Sequence, residues 1–277
     1  MRLDYFTLLC PEPISLSIGT IKHPTLRDIG KLTFPKYCMY QVYLKLKPKE
    51  YYEVINKKNG EKYWEVLSDE QKKEITMYDV LLVEDIVRNM YLEIFNFFFI
   101  ERIIFRDGIF IILDIDDYDT PSDDIEISKE NFRGMINPDN LVNILDILQQ
   151  VCCIKSNDPL DEPKPKFKNK KAKILYERML KAKAEENKKK EIKDLFNLTL
   201  PNIASATAAK CPGLNIINIW DATLFQLYDQ FGKVQNDDAH YLNTVRVAVW
   251  GDEKKQFDPS LWYKNTYDKH TKQGLDI

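Results

Sequence analysis

The densest group of side chains able to do chemistry is acidic: Asp114, Asp116, Asp117, Asp119, Asp123 and Asp124. Such a group suits Mg²⁺ or Ca²⁺, which bind several carboxylate oxygens. The spacing, however, lacks the central glycine and terminal bidentate Glu of a Ca²⁺ loop, so a solvated acidic loop is expected and no metal ligand is assigned. The three histidines, His23, His240 and His270, form no metal pair and accompany no nucleophile motif. His240 follows Asp237 and Asp238, which suits a capping or surface hydrogen bond, and His23 precedes Pro24, where it shapes a turn. Five cysteines contain no Cys-x-x-Cys pair. Cys152 and Cys153 end an apolar helix face, and a redox thiolate there would have only Lys155 as a basic neighbour. Nine glycines are few for a phosphate-cradling α/β enzyme. These readings assign no catalytic residue and no cofactor, and a non-enzymatic protein is expected.

Aromatic side chains offer the other chemistry, recognition. Ile217, Trp220, Leu224, Leu227, Tyr228 and Phe231 recur at helical spacing, and Gly232 stands where that helix would end. Asp237 or Asp238 would cap a second helix through Tyr241, Leu242, Val245, Ala248 and Val249 to Trp250, giving an α-hairpin with an aromatic interface. Stacking on nucleic-acid bases is open to such rings, but the helical period favours packing against protein. Trp220, Phe225, Tyr228, Trp250, Trp262 and Tyr263 are therefore the candidate partner-binding residues, with Trp262 and Tyr263, after an Asp-Pro turn, best placed for a partner.

The elements that must position these residues are predominantly helical, in an α+β arrangement. Ile14 to Ile18 alternates apolar and polar side chains, as a half-buried strand does. Thr25 and Asp28 are spaced as a helix N-cap and its reciprocal partner, and Ser68 with Gln71 repeats the pattern. Ile103–Phe105 and Ile109–Ile112 flank Asp107-Gly108, a hairpin-turn signal. Asn137-Pro138 opens a helix with Leu141, Ile144, Leu145, Leu148 and Val151 on one stripe. Prolines 159, 163 and 165 then favour an extended tether, followed by a Lys/Glu-rich helix over 170–193. The expected organisation is an N-terminal α+β domain with a β-hairpin at 1–157, a Pro/Lys-rich linker and charged helix at 158–197, and a helical aromatic module at 198–277.

The net charge of −3 hides a local asymmetry. Residues 164–193 hold thirteen Lys or Arg against four Glu, a net +9, which leaves −12 for the rest. The absence of a basic face argues against duplex binding as the main activity. The longest greasy run, Tyr91 to Ile100, contains Glu93 and is far shorter than the roughly 20 residues of a membrane span, and the N-terminus does not read as a signal peptide. A membrane partner is not expected, and a cytoplasmic location is.

The stretch Ser17-Ile18-Gly19-Thr20-Ile21-Lys22-His23-Pro24-Thr25-Leu26-Arg27-Asp28-Ile29 resembles the opening of tail assembly chaperones and pre-tape-measure proteins of tailed bacteriophages, where a short strand runs into a Pro-Thr-x-x-Asp helix start. Pro24, Thr25 and Asp28 carry the resemblance, as a structural motif. It implies binding without catalysis: keeping a phage tape-measure protein soluble and recruiting tail-tube subunits in the bacterial host cytoplasm. The alternatives are a tail or baseplate component of the virion, and a nucleic-acid-binding or metal-dependent factor using the Lys-rich arm or the acidic loop. Homo-oligomerisation is left open.

Overall fold

A computed structural model describes residues 2–55, 64–115, 120–122, 124–154, 199–252, 255, 257–265 and 267. The expected tether and charged helix at 158–197, the acidic residues Asp116, Asp117, Asp119 and Asp123, and His270 lie outside them. The chain divides into two compact units, Met1–Ile154 with Trp220–Gln226, and Lys155–Ile219 with Leu227–Ile277. The architecture is α+β and predominantly helical, as the patterning predicts.

Unit 1 begins with α1 (Tyr5–Leu9) and a hairpin of β1 (Ile14–Leu16) and β2 (Gly19–Ile21), where the alternation predicts a single strand. Helices α2 (Leu26–Leu32), α3 (Phe34–Lys45), α4 (Asp69–Glu74), α5 (Met77–Val83) and α6 (Asp85–Phe98) follow. Strands β3 (Arg102–Arg106), β4 (Ile109–Leu113) and β5 (Phe132–Ile136) form an antiparallel sheet in that order. Helix α7 (Pro138–Val151) closes the unit, its start fixed by Asn137 Oδ1 accepting from the N–H groups of Asp139 and Asn140 at 3.1 Å each.

The predicted turn of β3 and β4 forms as its residues dictate: Asp107 at φ 51° and Gly108 at φ 80° both take the left-handed conformation of the tight hairpin turn. Both faces of this sheet are covered, which accounts for strands apolar on both sides. One face sends Phe105 and Phe110 into an aromatic core, where Phe110 meets Phe95 at 5.1 Å and Phe105 at 4.9 Å between ring centroids. The other puts Ile104, Ile111 and Leu113 against Ile125. Asn96 ties α6 to β3, accepting from the Ile103 N–H and donating to the Ile103 carbonyl, both at 2.8 Å. Buried tyrosines keep hydroxyl partners: Tyr91 donates to the Tyr43 carbonyl at 2.7 Å, and Tyr78 to the Gly108 carbonyl at 2.8 Å.

In unit 2 the described elements are α8 (Leu200–Lys210), most of α9 (Leu224–Trp250) and the short helical turn Leu261–Tyr263. The predicted α-hairpin is corrected here: α9 is one continuous helix of 27 residues. Gly232 lies in its interior with open space around it, and an interior glycine costs only about 1 kcal/mol. The left-handed glycine that ends the helix is Gly251, at φ 75°. Asp238 caps no helix; it pairs with Lys210. Trp220 lies in the short 3₁₀ turn Ile219–Asp221 before α9, after a turn in which Asn215 and Asn218 exchange side-chain to backbone hydrogen bonds at 2.7 and 3.1 Å.

Gly134 on β5 faces Ile18, where an added Cβ would lie 2.7 Å from the Ile18 Cα, Cβ and carbonyl oxygen. Gly134→Ala is therefore expected to lower stability by about 1–3 kcal/mol in urea titrations, as overpacking of a close backbone approach does. A midpoint equal to wild type would refute this packing of the first hairpin on the sheet.

Candidate partner-binding site

Thr25 is an N-cap with a reciprocal partner. Its N–H donates to Asp28 Oδ2 at 3.0 Å, and the Asp28 N–H donates to Thr25 Oγ1 at 3.1 Å. Burial alone would raise the Asp28 pKa, but hydrogen bonds from the Thr25 backbone and hydroxyl, with Lys22 and Lys31 nearby, hold it below the usual carboxylate value. Pro24, Thr25 and Asp28 are thus placed as a helix start, and the same stretch does a second job.

Segment Trp220–Gln226 lies against it within unit 1. Thr223 pairs with Thr25 in an isolated antiparallel bridge, in which the Leu26 N–H donates to the Ala222 carbonyl and the Leu224 N–H donates to the Pro24 carbonyl, both at 3.1 Å. Thr223 is itself the first half of a capping box: its N–H donates to Gln226 Oε1 at 3.0 Å and its Oγ1 accepts from the Gln226 N–H at 3.2 Å. Two helix starts, Thr25-Leu26-Arg27-Asp28 and Thr223-Leu224-Phe225-Gln226, therefore face one another across two reciprocal hydrogen bonds. Arg27 adds Nε and Nη2 bonds to Asp221 Oδ1 at 2.9 and 2.7 Å, and Gln226 Nε2 donates to the Leu9 carbonyl at 2.9 Å. Phe225 meets Tyr5 edge-on at 6.0 Å. Leu224 and Thr223 are each only 1% exposed.

His23 sits beside this bridge, buried, and neither ring nitrogen has a hydrogen-bond partner. Burial lowers its pKa below the ordinary value, because it disfavours the charged ring.

The six candidate aromatics separate into distinct settings. Phe225 is 5% exposed and belongs to the unit 1 core, Tyr228 is half-buried, and Trp220 lies against Gly30. Trp250 is 75% exposed at the end of α9, and Trp262 and Tyr263 are exposed and in mutual edge contact at 5.1 Å. Lys233 Nζ fixes the latter pair by donating to the Tyr263 and Lys264 carbonyls at 3.1 and 2.8 Å. Spacing alone missed the exposed stripe Tyr241, Leu242, Val245 and Val249 on α9, because the expected α-hairpin would have covered it. It also missed Thr223 and Gln226, although Thr-x-x-Gln is a capping signal legible in sequence.

A cavity of about 320 Å³ in unit 2 is lined by Lys210, Cys211, Lys233, Asp237, Asp238 and Trp262. Its two lysines and two aspartates balance, giving no preference for an anion or a cation. Asp114, from the acidic group, pairs with Arg133, and among the described residues no three His, Cys, Asp or Glu side chains gather as metal ligands would. No helix among the described residues is long and apolar enough to cross a membrane.

Residues 176–267, a third of the chain, match the model of a family described as the YomV second domain. That family is phage-derived, of the kind carried by a Bacillus prophage similar to SPbeta. No curated protein and no solved structure matches the chain.

The setting of His23 generates a pH prediction. In the unfolded chain a histidine titrates near 6.5, whereas in the fold its pKa is lower, so the unfolded state binds more protons as pH falls. Stability from this group is complete above about pH 6.5 and declines towards the lower folded pKa. Urea midpoints should drop as the pH falls below about 6.5 in the wild-type chain, and less so in His23→Leu. Parallel pH profiles for the two proteins would show that His23 is not the group responsible.

Proposed function

We propose that this protein works by binding, as a phage assembly factor that holds tape-measure or tail-tube proteins during tail morphogenesis. The observation that carries this reading is the exposed apolar stripe of α9 inside the stretch that matches a phage-derived domain. From Ala239 to Trp250 the helix carries a single side chain of fixed charge, Arg246, while Tyr241, Leu242, Val245 and Val249 recur at i, i+3/i+4 spacing on one face. Such a face is what an amphipathic helix of a partner requires. Contiguous apolar surface of this kind on a folded unit marks an interaction site.

Trp250 ends the stripe, and its large ring supplies the type of contact that dominates binding energy at interfaces. The chaperone reading and the virion-component reading differ in where the protein ends up: a chaperone leaves before the particle matures, and a structural component stays at fixed copy number.

The test uses the full-length chain, tagged, in lysates of cells producing the phage tail proteins, with mass spectrometry of both the captured proteins and purified particles. The expected result is capture of the tape-measure or tail-tube protein, lowered at least tenfold by Val245→Asp with Val249→Asp at an unchanged melting temperature, and absence of the chain from particles. Capture that is insensitive to the two substitutions would remove the stripe from the mechanism. Presence in particles at constant stoichiometry would replace chaperone by structural component.

A further inference from the structure

We propose that Trp220–Gln226 is an exchangeable latch, and that the groove of unit 1 which holds it accepts the same seven residues from a second copy of this chain. Apart from its own Thr223–Gln226 cap, the contacts given above for the segment are made to Tyr5, Leu9, Pro24 to Arg27 and Gly30. None of them depends on the segment belonging to the same molecule.

The segment is also set apart along the chain. The 65 residues Lys155–Ile219 separate it from the end of the first part of unit 1, and they include prolines 159, 163 and 165. By sequence it lies within the stretch that matches the phage-derived second domain, while by its contacts it belongs to unit 1. A connection of that length constrains closure weakly, since closure entropy grows only with the logarithm of loop length. The same contacts can thus be made within one molecule or between two, which is the condition for domain swapping.

A second copy is the occupant the chemistry selects. The groove offers the Pro24 carbonyl and the Leu26 N–H to an antiparallel neighbour, a cation at Arg27 to a carboxylate, the Leu9 carbonyl to a side-chain amide, and the Tyr5 ring to an aromatic. Leu224, Ala222, Asp221, Gln226 and Phe225 answer these in order, and another molecule of the same sequence offers the same groups. A connection of 65 residues gives a lower effective concentration than the millimolar range of short linkers, so closure within one molecule competes with pairing between molecules, and exchange grows as the chains are concentrated.

Arg27 and Asp221 are both exposed, which makes the groove's charge reversible without disturbing the core. In Arg27→Glu the groove repels its own Asp221, and in Asp221→Arg the groove's Arg27 repels its own segment. In an equimolar mixture each groove finds its complement only on the other chain. Native mass spectrometry of the mixture, at about 20 µM and moderate salt, where Coulombic pairing persists, is the experiment. The expected result is a 1:1 heterodimer at least tenfold above either homodimer, while the double variant Arg27→Glu/Asp221→Arg is monomeric and melts as wild type does. A mixture that stays at the statistical share of dimers, while the double variant recovers wild-type melting, would overturn exchange. Equal dimerisation of each variant alone would also overturn it, placing association on another surface such as the α9 stripe. Should either single variant not fold, light and ¹⁵N-labelled batches of Val249→Asp, which keeps the latch residues and blocks the stripe, are mixed near 0.5 mM. Mixed-mass dimers surviving dilution support exchange, and their absence rejects it.

Discussion

The antiparallel bridge between Thr25 and Thr223 is the interaction that builds the distant segment Trp220–Gln226 into unit 1. Each threonine already has a duty at home, capping its own helix, and the backbone on either side of the cap is left extended. An N-cap residue takes β-region dihedrals before the helix begins, so its neighbours' N–H and C=O groups point outward with no intrahelical partner. Two such caps laid antiparallel satisfy each other: Leu26 to Ala222, and Leu224 to Pro24. The backbone geometry that starts a helix thus also supplies the edge that joins a distant segment.

The magnitudes are close to balanced. Ordering seven residues costs about 7–14 kcal/mol at 1–2 kcal/mol each. Against this, the two backbone hydrogen bonds, the Gln226–Leu9 bond and the two bonds of the Thr223–Gln226 cap contribute about 1 kcal/mol apiece. Burial of Leu224 and Phe225 adds roughly 2–3 kcal/mol each, and the exposed Arg27–Asp221 pair no more than about 1. The total of about 9–12 kcal/mol roughly equals the ordering cost. His23, buried next to the bridge with both ring nitrogens unpartnered, lowers the margin further. A segment held at near balance is one that can be traded.

Much of unit 1 is legible in the sequence because its signals are local. The Thr25/Asp28, Ser68/Gln71 and Asn137/Pro138 caps and the Asp107-Gly108 turn all stand where residue chemistry puts them, since each is decided within about four residues. Non-local decisions were not legible. The strand Gly19–Ile21 forms because Ile14–Leu16 folds back on it and Gly134 admits Ile18 at close range, and neither neighbour is visible in the alternation of Ile14 to Ile18. Of the candidate aromatics chosen by residue type, Trp250, Trp262 and Tyr263 are exposed. Phe225 was not recognised as core because its partner Tyr5 is 220 positions away in the chain. Gly232 misled for a plain reason: glycine ends a helix only where the backbone turns left-handed, and elsewhere its cost is small enough for 27 residues of helix to absorb.

Gln226 decides how the latch can move. Its Oε1 accepts from the Thr223 N–H, completing the cap of α9, and its Nε2 donates to the Leu9 carbonyl in unit 1. One planar amide therefore fixes the start of the long helix and its seat in the groove, and the orientation that serves the first bond also serves the second. Simple opening would leave Nε2 and the Leu224 N–H to water while exposing the Leu224 and Phe225 side chains, so the open state forfeits the apolar term with little return. Transfer to an equivalent groove keeps these contacts, because both ends of the amide find the same partners there, and its cost is the freedom lost on association. The physical difference between release and exchange is thus carried by the burial of two side chains and the bidentate use of one amide. Both favour a latch that moves from groove to groove over one that stands open.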